Sequence, residues 1–267
     1  MSERDILTAI LERKSIENAR RRRHVAYRVS PSEQDGARVD RAGLAHAALR
    51  RPAHSGPRVI AEIKRRSPSA GVIRAHAQGD VEWIAREYVT GGAAAISVLC
   101  DRVGFGGSVL DVRRATRVVE VPILFKEFVL DEAQVALAAR AGAHMLLLVV
   151  RALTRDRLQT LCDLALARGL APVVEAADAD ELEAALQTRA TIIGVNARDL
   201  RTFKVDPQAA QAALQRIPVD RIAVHMSGVR SAQDYRDVAA GRADAVLIGE
   251  SLMRASEPHH KLRELLR

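Results

Sequence analysis

The sequence predicts an α/β protein, a closed (β/α)8 barrel carrying an N-terminal helical extension. Three observations carry that expectation. From residue 58 onward, eight short apolar runs rich in β-branched residues alternate with helix-like segments, the pattern of repeated strand–helix–strand crossovers and a parallel sheet. The runs are continuously apolar rather than alternating, as strands covered on both faces require. Eight such units are what a closed barrel uses. The alternative, an open doubly wound sheet, lacks its expected GxGxxG after any strand.

In order, the eight runs are "RVIAEI" (58–63), "AAISVL" (94–99), "VPILFK" (121–126), "HMLLLVV" (144–150), "LAPVVEA" (170–176), "TIIGVN" (191–196), "RIAVHM" (221–226) and "DAVLIG" (244–249). Between them lie helix start and stop signals. "DEAQVALAARAG" has Asp131 to cap its first turn and Gly142 to end it. "TRDRLQTLCDLALARG" has Thr154 and Gly169, and "SAQDYRDVAAG" has Ser231 and Gly241. Residues 1–57 do not fit the repeat. "DILTAILERKSIENARRRR" reads as an amphipathic helix, "VSPSEQDGARVD" as a polar loop and "RAGLAHAALRRP" as a second short helix. We divide the chain into an extension, 1–57, that packs on the barrel, and a catalytic barrel, 58–267.

Composition narrows the setting. Of 267 residues 48% are hydrophobic but only 3% aromatic, so the core is aliphatic. Cys100 and Cys162 stand in no CxxC or Cys/His cluster, which implies neither a zinc site nor a disulfide framework and suits a reducing cytoplasm. The charged N-terminus has no apolar signal core, and no apolar run approaches the roughly 20 residues of a membrane span. The formal charge of +8 and the run Arg20–Arg23 are compatible with nucleic acid or with an anionic small substrate. Glu12 and Glu17 share the helix with that run, and no nucleic-acid-binding motif accompanies it. It reads as a solvated face, so we expect neither nucleic acid nor membrane as a partner.

In a barrel, working groups sit at the C-terminal ends of strands and in the loops that follow. The first run ends in Glu62 and Lys64. The second leads to Cys100, Asp101 and "RVGFGGS". The third ends in Lys126 and Glu127, the fourth offers Arg151, and the fifth ends in Glu175. The sixth ends in Asn196, with Arg198 beyond it. The seventh ends in Met226, Ser227 and Gly228, and the eighth in Gly249 and Glu250. The opposite ends begin with Arg58, Ala94, Val121, Leu170 and Thr191, with no comparable set. That asymmetry marks one mouth as a site. A lysine among other cations and partly desolvated is expected to have a lowered pKa and to serve as a general acid, with a carboxylate opposite it. Glycines after the last two strands, with Ser227 and Ser251 beside them, suit a phosphate held by backbone N–H groups.

Read together, these segments resemble the indole-3-glycerol-phosphate synthase family of tryptophan biosynthesis. "VIAEIKRRSPSAG" is similar to that family's signature almost letter for letter. "GGSVLDVRRAT", "PILFKEFVLDEAQV", "VVEA", "IIGVNARDLRTFKVD", "SGVRSAQD" and "VLIGESLMRA" follow in the family's order. The resemblance covers about residues 57–267. It implies a cytoplasmic carboxy-lyase on a (β/α)8 barrel, with a helical segment over the mouth and no metal or organic cofactor. It implies a substrate with a phosphate and a carboxylate, 1-(2-carboxyphenylamino)-1-deoxyribulose 5-phosphate, that is ring-closed, decarboxylated and dehydrated. Matched by motif, Lys126 is similar to the general acid of ring closure, and Lys64 to a second lysine that binds substrate and donates a proton in dehydration. Glu62 and Glu175 are similar to catalytic carboxylates. Asn196 and Arg198 match substrate-binding positions, and Ser227 and Met226 are expected to bind substrate beside them. Ser67, Gly228 and Gly249 match the phosphate site, and Glu250 is expected to bind the phosphate with them.

The chain departs from the family pattern in places. Met226 stands where a carboxylate is usual, preceded by His225, whose strand parity points it toward the helices. Gly104 and Gly106 replace an aromatic and a glutamine. Phe125 precedes the lysine, Glu127 replaces an aspartate after it, and Leu44 replaces a phenylalanine. An apolar Met226 would leave the nearby lysines more acidic than a carboxylate would. Two other readings stay open on sequence alone: a paralogue in secondary metabolism using a related aryl-amino sugar phosphate, and a non-catalytic barrel that serves as a partner subunit.

Overall fold

The computed structural model describes residues 6–23, 40–75, 80–198 and 205–267. The expected polar loop therefore lies outside the described residues, apart from Asp40. The barrel strands are β1 (Arg58–Ile63), β2 (Ala95–Leu99), β3 (Ile123–Lys126), β4 (Met145–Val149), β5 (Ala171–Ala176), β6 (Ile192–Asn196), β7 (Ile222–Met226) and β8 (Ala245–Ile248). Each pairs in parallel with its neighbour in sequence, and β8 closes onto β1. The described helices are α1 (Ile6–Arg23), α2 (Arg41–Leu49), α3 (Asp80–Gly91), α4 (Arg102–Phe105), α5 (Val109–Thr116), α6 (Glu132–Arg140), α7 (Arg155–Ala167), α8 (Ala179–Leu186), α9 (Pro207–Gln215), α10 (Ala232–Ala239), α11 (Glu250–Arg254) and α12 (Pro258–Leu265). The predicted caps hold. Asp131, Thr154 and Ser231 each accept a hydrogen bond from the first turn of α6, α7 and α10, and Gly142 and Gly169 take left-handed backbone after α6 and α7.

Parity sorts each strand into two cores. Ile60, Leu124, Met145, Leu147, Val173, Ile192, Val224 and Leu247 point inward and pack the barrel. Val59, Ile96, Phe125, Leu146, Val174, Ile193, Ala223 and Val246 point outward against the helices. Phe125 is thus a layer residue, and its departure from the family pattern does not reach the mouth.

The extension packs against both ends of the barrel. Ala45 and Leu49 of α2 are fully buried against the inward residues at the N-terminal end. Around that plug, Arg41 donates to the Ala139 carbonyl, and Arg50 to the carbonyls of Val219, Asp220 and Arg221. Helix α1 lies at the other end, where Lys14 meets Asp101 and Glu127. Two short features were not expected. Residues Arg66–Ser67 and Gly71–Val72 form an antiparallel ribbon closed by the Ser-Pro-Ser turn. Within "RVGFGGS", α4 forms because Asp101 accepts from Gly104 N at 2.6 Å, and Gly106 ends it with left-handed backbone.

Candidate active site

The residues matched to catalytic, substrate and phosphate positions line one cavity at the C-terminal end of the barrel, about 1070 Å³ including the open space above it, whereas Cys100 and Ser251 lie outside its lining. The reason is parity. Glu62, Lys126, Glu175 and Met226 share the inward register with Ile60, Leu124, Val173 and Val224, one inward step farther along each strand, and Asn196 lies two such steps beyond Ile192. Arg151 is the exception among the strand-end charges. It pairs with Glu181 and Asp178 of the next α-helical unit and lies outside the cavity lining.

Two ion pairs face each other across the mouth. Lys64 Nζ lies 2.7 Å from Glu62 Oε1, and Lys126 Nζ lies 3.1 Å from Glu175 Oε2. Asn196 donates to the other Glu175 oxygen at 3.0 Å, and Arg198 N donates to Asn196 Oδ1 at 3.0 Å. Glu62 is held by Ser97 Oγ at 3.5 Å, while Tyr88 fixes its backbone by donating to the Glu62 carbonyl. Gly249 makes room for it: a Cβ there would stand 2.7 Å from Glu62 Oε1. In the same way Gly194 makes room for Met226, whose Cε and Sδ a Cβ at that position would meet.

The charge states follow from these contacts. Burial alone would push the Glu62 carboxyl up, but Lys64 and Lys126 together hold it below the ordinary carboxylate range. Burial would push Lys126 down, yet Glu175 and Glu62 outweigh it and raise Lys126 above its ordinary value. The sequence-based expectation of a lowered lysine pKa is therefore corrected for Lys126. Its nearest charged neighbours are carboxylates rather than cations. Met226 does face the mouth, with Sδ 4.0 Å from Lys126 Nζ, but the two glutamates already supply what a carboxylate at 226 would add.

At the far side, Ser67 is nearly buried in the ribbon and accepts from Ala70 N at 3.0 Å. Ser227 and Gly228 both have positive φ, so the turn after β7 folds back and bares its main chain to the cavity. Glu250 lines the same corner, but its carboxylate pairs with Arg254 at 3.0 Å, which leaves its main-chain N–H as the group an anion can use. Ser251 Oγ, in the first turn of α11, is buried and lacks a hydrogen-bond partner. Among the described residues, no group of three or more His, Cys, Asp or Glu side chains is placed to hold a metal ion.

The sequence reading did not name Phe105, Phe128 or Arg230, which line the cavity too. The rings of Phe105 and Phe128 lie 6.2 Å apart. A usable signal existed: the chain has only four phenylalanines, and these two stand in loops rather than in core runs. His225, in contrast, faces the helices beside Leu214 and Val238, and burial lowers its imidazole to about 4.

The profile of the family described as indole-3-glycerol phosphate synthase matches residues 7–265. The chain belongs to the indole-3-glycerol phosphate synthase family. Relatives with that name include one from Desulfosudis oleivorans, 43% identical with 80% of this chain and 81% of that one covered. Another, from Leifsonia xyli subsp. xyli, is 45% identical over 78% of each chain, and one from Streptomyces griseus is 41% identical over 90% of this chain and 88% of its own. Membership of the indole-3-glycerol phosphate synthase family makes the chain an enzyme, a carboxy-lyase of tryptophan biosynthesis acting on a small phosphorylated substrate. The two open alternatives are not favoured. More distant structures share the fold: a mutant tryptophan synthase α-subunit from Pyrococcus furiosus (TM-score 0.62, 16% identity, 79% of this chain and 98% of that one) and 3-hexulose-6-phosphate synthase from Salmonella typhimurium (TM-score 0.63, 14% identity, 78% and 96%). Among the described residues no helix is long and apolar enough to cross a membrane.

Proposed function

We propose that the two facing ion pairs divide the synthase reaction between them. The substrate, 1-(2-carboxyphenylamino)-1-deoxyribulose 5-phosphate, needs an acid beside its carbonyl oxygen for ring closure. Lys126 is that acid: its raised pKa keeps it protonated at neutral pH, and Glu175, held by Asn196, fixes its position. Ring closure makes a carbon–carbon bond and leaves a hydroxyl on the old carbonyl carbon. Loss of carbon dioxide then returns its electron pair to the ring. Dehydration needs a proton for the leaving hydroxyl, from Lys64, and a base for the departing ring proton, for which Glu62 beside Lys64 is placed. Arg198 and Asn196 orient the substrate, whose carboxylate an arginine suits well. Its phosphate lies among Ser67, Gly228, Gly249 and the main chain of Glu250, with Ser227 and Met226 beside the sugar chain. Nothing in this scheme calls on nucleic acid or membrane. We place the enzyme in the cytoplasm, a reading that the two buried cysteine thiols support. Residues 1–57 act as an extension of one catalytic barrel.

The observation that carries this reading is the Lys126–Glu175–Asn196 chain of contacts opposite Lys64–Glu62. Its test is turnover of the named substrate by purified protein, followed by indole fluorescence, with inorganic phosphate as a competitor. Competitive inhibition is expected. Turnover without any competition from phosphate would remove the phosphate assignment, and absence of turnover would remove the whole scheme.

A further inference from the structure

The buried face of α1 runs Leu7, Ile10, Lys14, Asn18. Two apolar residues are followed, at the same helical spacing, by two polar ones that are equally buried. Lys14 has no exposed surface. Its Nζ lies 2.9 Å from Glu127 Oε2, 3.2 Å from Asp101 Oδ2 and 2.8 Å from Glu17 Oε2. Arg13 reaches Asp101 at 3.0 Å from the rim, and Asn18 donates to Gln134 Oε1 at 2.7 Å. An isolated buried ammonium is strongly disfavoured, so this cluster holds only while its carboxylates stay in place.

Those carboxylates belong to the two loops that frame Lys126. Asp101 ends β2 and caps α4, the turn that carries Phe105. Glu127 follows Lys126 directly, and its other oxygen accepts from Phe128 N at 2.8 Å. Gln134 extends the hold by donating to the Phe128 carbonyl at 2.9 Å. Helix α1 therefore grips both loops through charge while lining none of the cavity itself.

We propose that Lys14 is a positioning residue for the synthase reaction. Acting through Glu127 and Asp101, it fixes the loops after β2 and β3, and with them Lys126 and the Phe105–Phe128 pair. The inference rests on the assignment of Lys126 as the acid of ring closure. Glu127 is the weak member of the lock. Burial pushes its carboxyl up and Asp101 adds to this, against the pull of Lys14, leaving it raised to about 6. Burial would lower Lys14, but Glu127, Glu17 and Asp101 raise it overall. Among the described residues the charged groups that act on Glu127 are Lys14 from α1 and Asp101 from the loop after β2, with Glu17 and Arg13 of α1 paired to Lys14 and Asp101 in turn and Lys126 beside Glu127 in the chain. Glu127 thus takes up its proton as the pH falls through about 6, and the lock weakens there.

The experiment compares wild type, Lys14→Arg, Lys14→Met and the charge-balanced pair Lys14→Met/Glu127→Gln. It measures thermal stability and the pH dependence of kcat and kcat/KM with the family substrate. Lys14→Met should lose up to about 10²-fold in kcat/KM, the scale of an ångström of misplacement at a reacting group. Its acidic limb should move to higher pH, because Glu127 has lost the cation that held it down. Lys14→Arg should recover much of the rate. The double variant should be the more stable of the two Met variants, with lowered kcat and an acidic limb from which the Glu127 titration is missing. The substrate phosphate also titrates near pH 6, but it is common to all four proteins, so only differences between them are read. If Lys14→Met does not fold, the double variant decides alone. A folded Met variant, single or double, with wild-type kcat and an unmoved acidic limb would overturn the proposal. So would a loss of thermal stability with no kinetic change. Lys126→Ala tests the underlying assignment separately: an active Lys126→Ala together with an impaired Lys14→Met would sink the acid role of Lys126 while leaving Lys14 tied to the loops.

Discussion

The two ends of the barrel carry parts of the same extension, with opposite chemistry. At the N-terminal end, α2 inserts Ala45 and Leu49 among inward-facing aliphatic residues, and its arginines satisfy loop carbonyls around the plug. At the C-terminal end, α1 inserts an ammonium among carboxylates, beside a cavity where two more lysine–glutamate pairs stand. An apolar plug contributes by removing area from water and is indifferent to small shifts of its neighbours. A buried ion pair adds little net stability, because desolvation offsets the attraction, but it is intolerant of losing either partner. The bottom of the barrel is built for stability, whereas the top ties helix, loops and the charged residues of the mouth into one arrangement.

That contrast is broken most severely by Lys126→Ala. It should cut kcat by about 10²–10⁴-fold, the usual contribution of a general acid. Substrate should still bind, and thermal stability should change far less than activity. Rapid-mixing fluorescence and a melting curve check both parts, and near-wild-type turnover would exclude the role. At the other end, Leu49→Ala should do the reverse. Emptying the plug should cost about 2–5 kcal/mol of stability, read by denaturant titration, with kcat/KM unchanged at temperatures where the variant remains folded. A large kinetic defect in folded Leu49→Ala would show that the two ends are coupled.

Gly249→Ala sharpens the comparison within the mouth. The added methyl would stand 2.7 Å from Glu62 Oε1, so Glu62 must leave its bond to Lys64. A fall in kcat of up to about 10²-fold is expected from that displacement, together with weaker inhibition by inorganic phosphate. Unchanged values of both would remove Gly249 from the site.

The smallest effect is expected at Met226. Met226→Leu keeps the apolar volume and should cost less than about 1.5 kcal/mol. Met226→Glu adds a third carboxylate near Lys126. The pKa of Lys126 is already raised in the folded protein, so its favourable contribution is complete below the unfolded value of 10.5 and is lost only as pH rises through the higher folded value. A further carboxylate moves that loss still higher. The alkaline limb of the pH–rate profile below pH 10 should then be the same for wild type and Met226→Glu. An upward shift of the limb within the range below pH 10 would mean that Glu175 and Glu62 do not hold Lys126 as the contacts indicate.

The barrel was legible because its signals are local and redundant: eight apolar runs, capped helices, and turns marked by glycine. The residues that line the mouth were legible for a related reason. A strand's period of two fixes which residues share a face, so Glu62, Lys126, Glu175, Asn196 and Met226 fall on the inward side once the strands are placed. That same parity let the sequence set His225 against the helices. Other features depended on which distant groups meet. Lys126 was expected to be lowered by cations and is raised by carboxylates, because pKa depends on the neighbour across the barrel rather than the neighbour in the chain. In the sequence Lys14 is one of many charges in the first helix. Only the packing of α1 over the ends of β2 and β3 turns it inward, where Asp101 and Glu127 make a buried ammonium tolerable. Periodicity can say that residues 7, 10, 14 and 18 share a stripe. Whether a lysine in that stripe is buried depends on carboxylates 87 and 113 residues away, and only the folded chain brings them within reach.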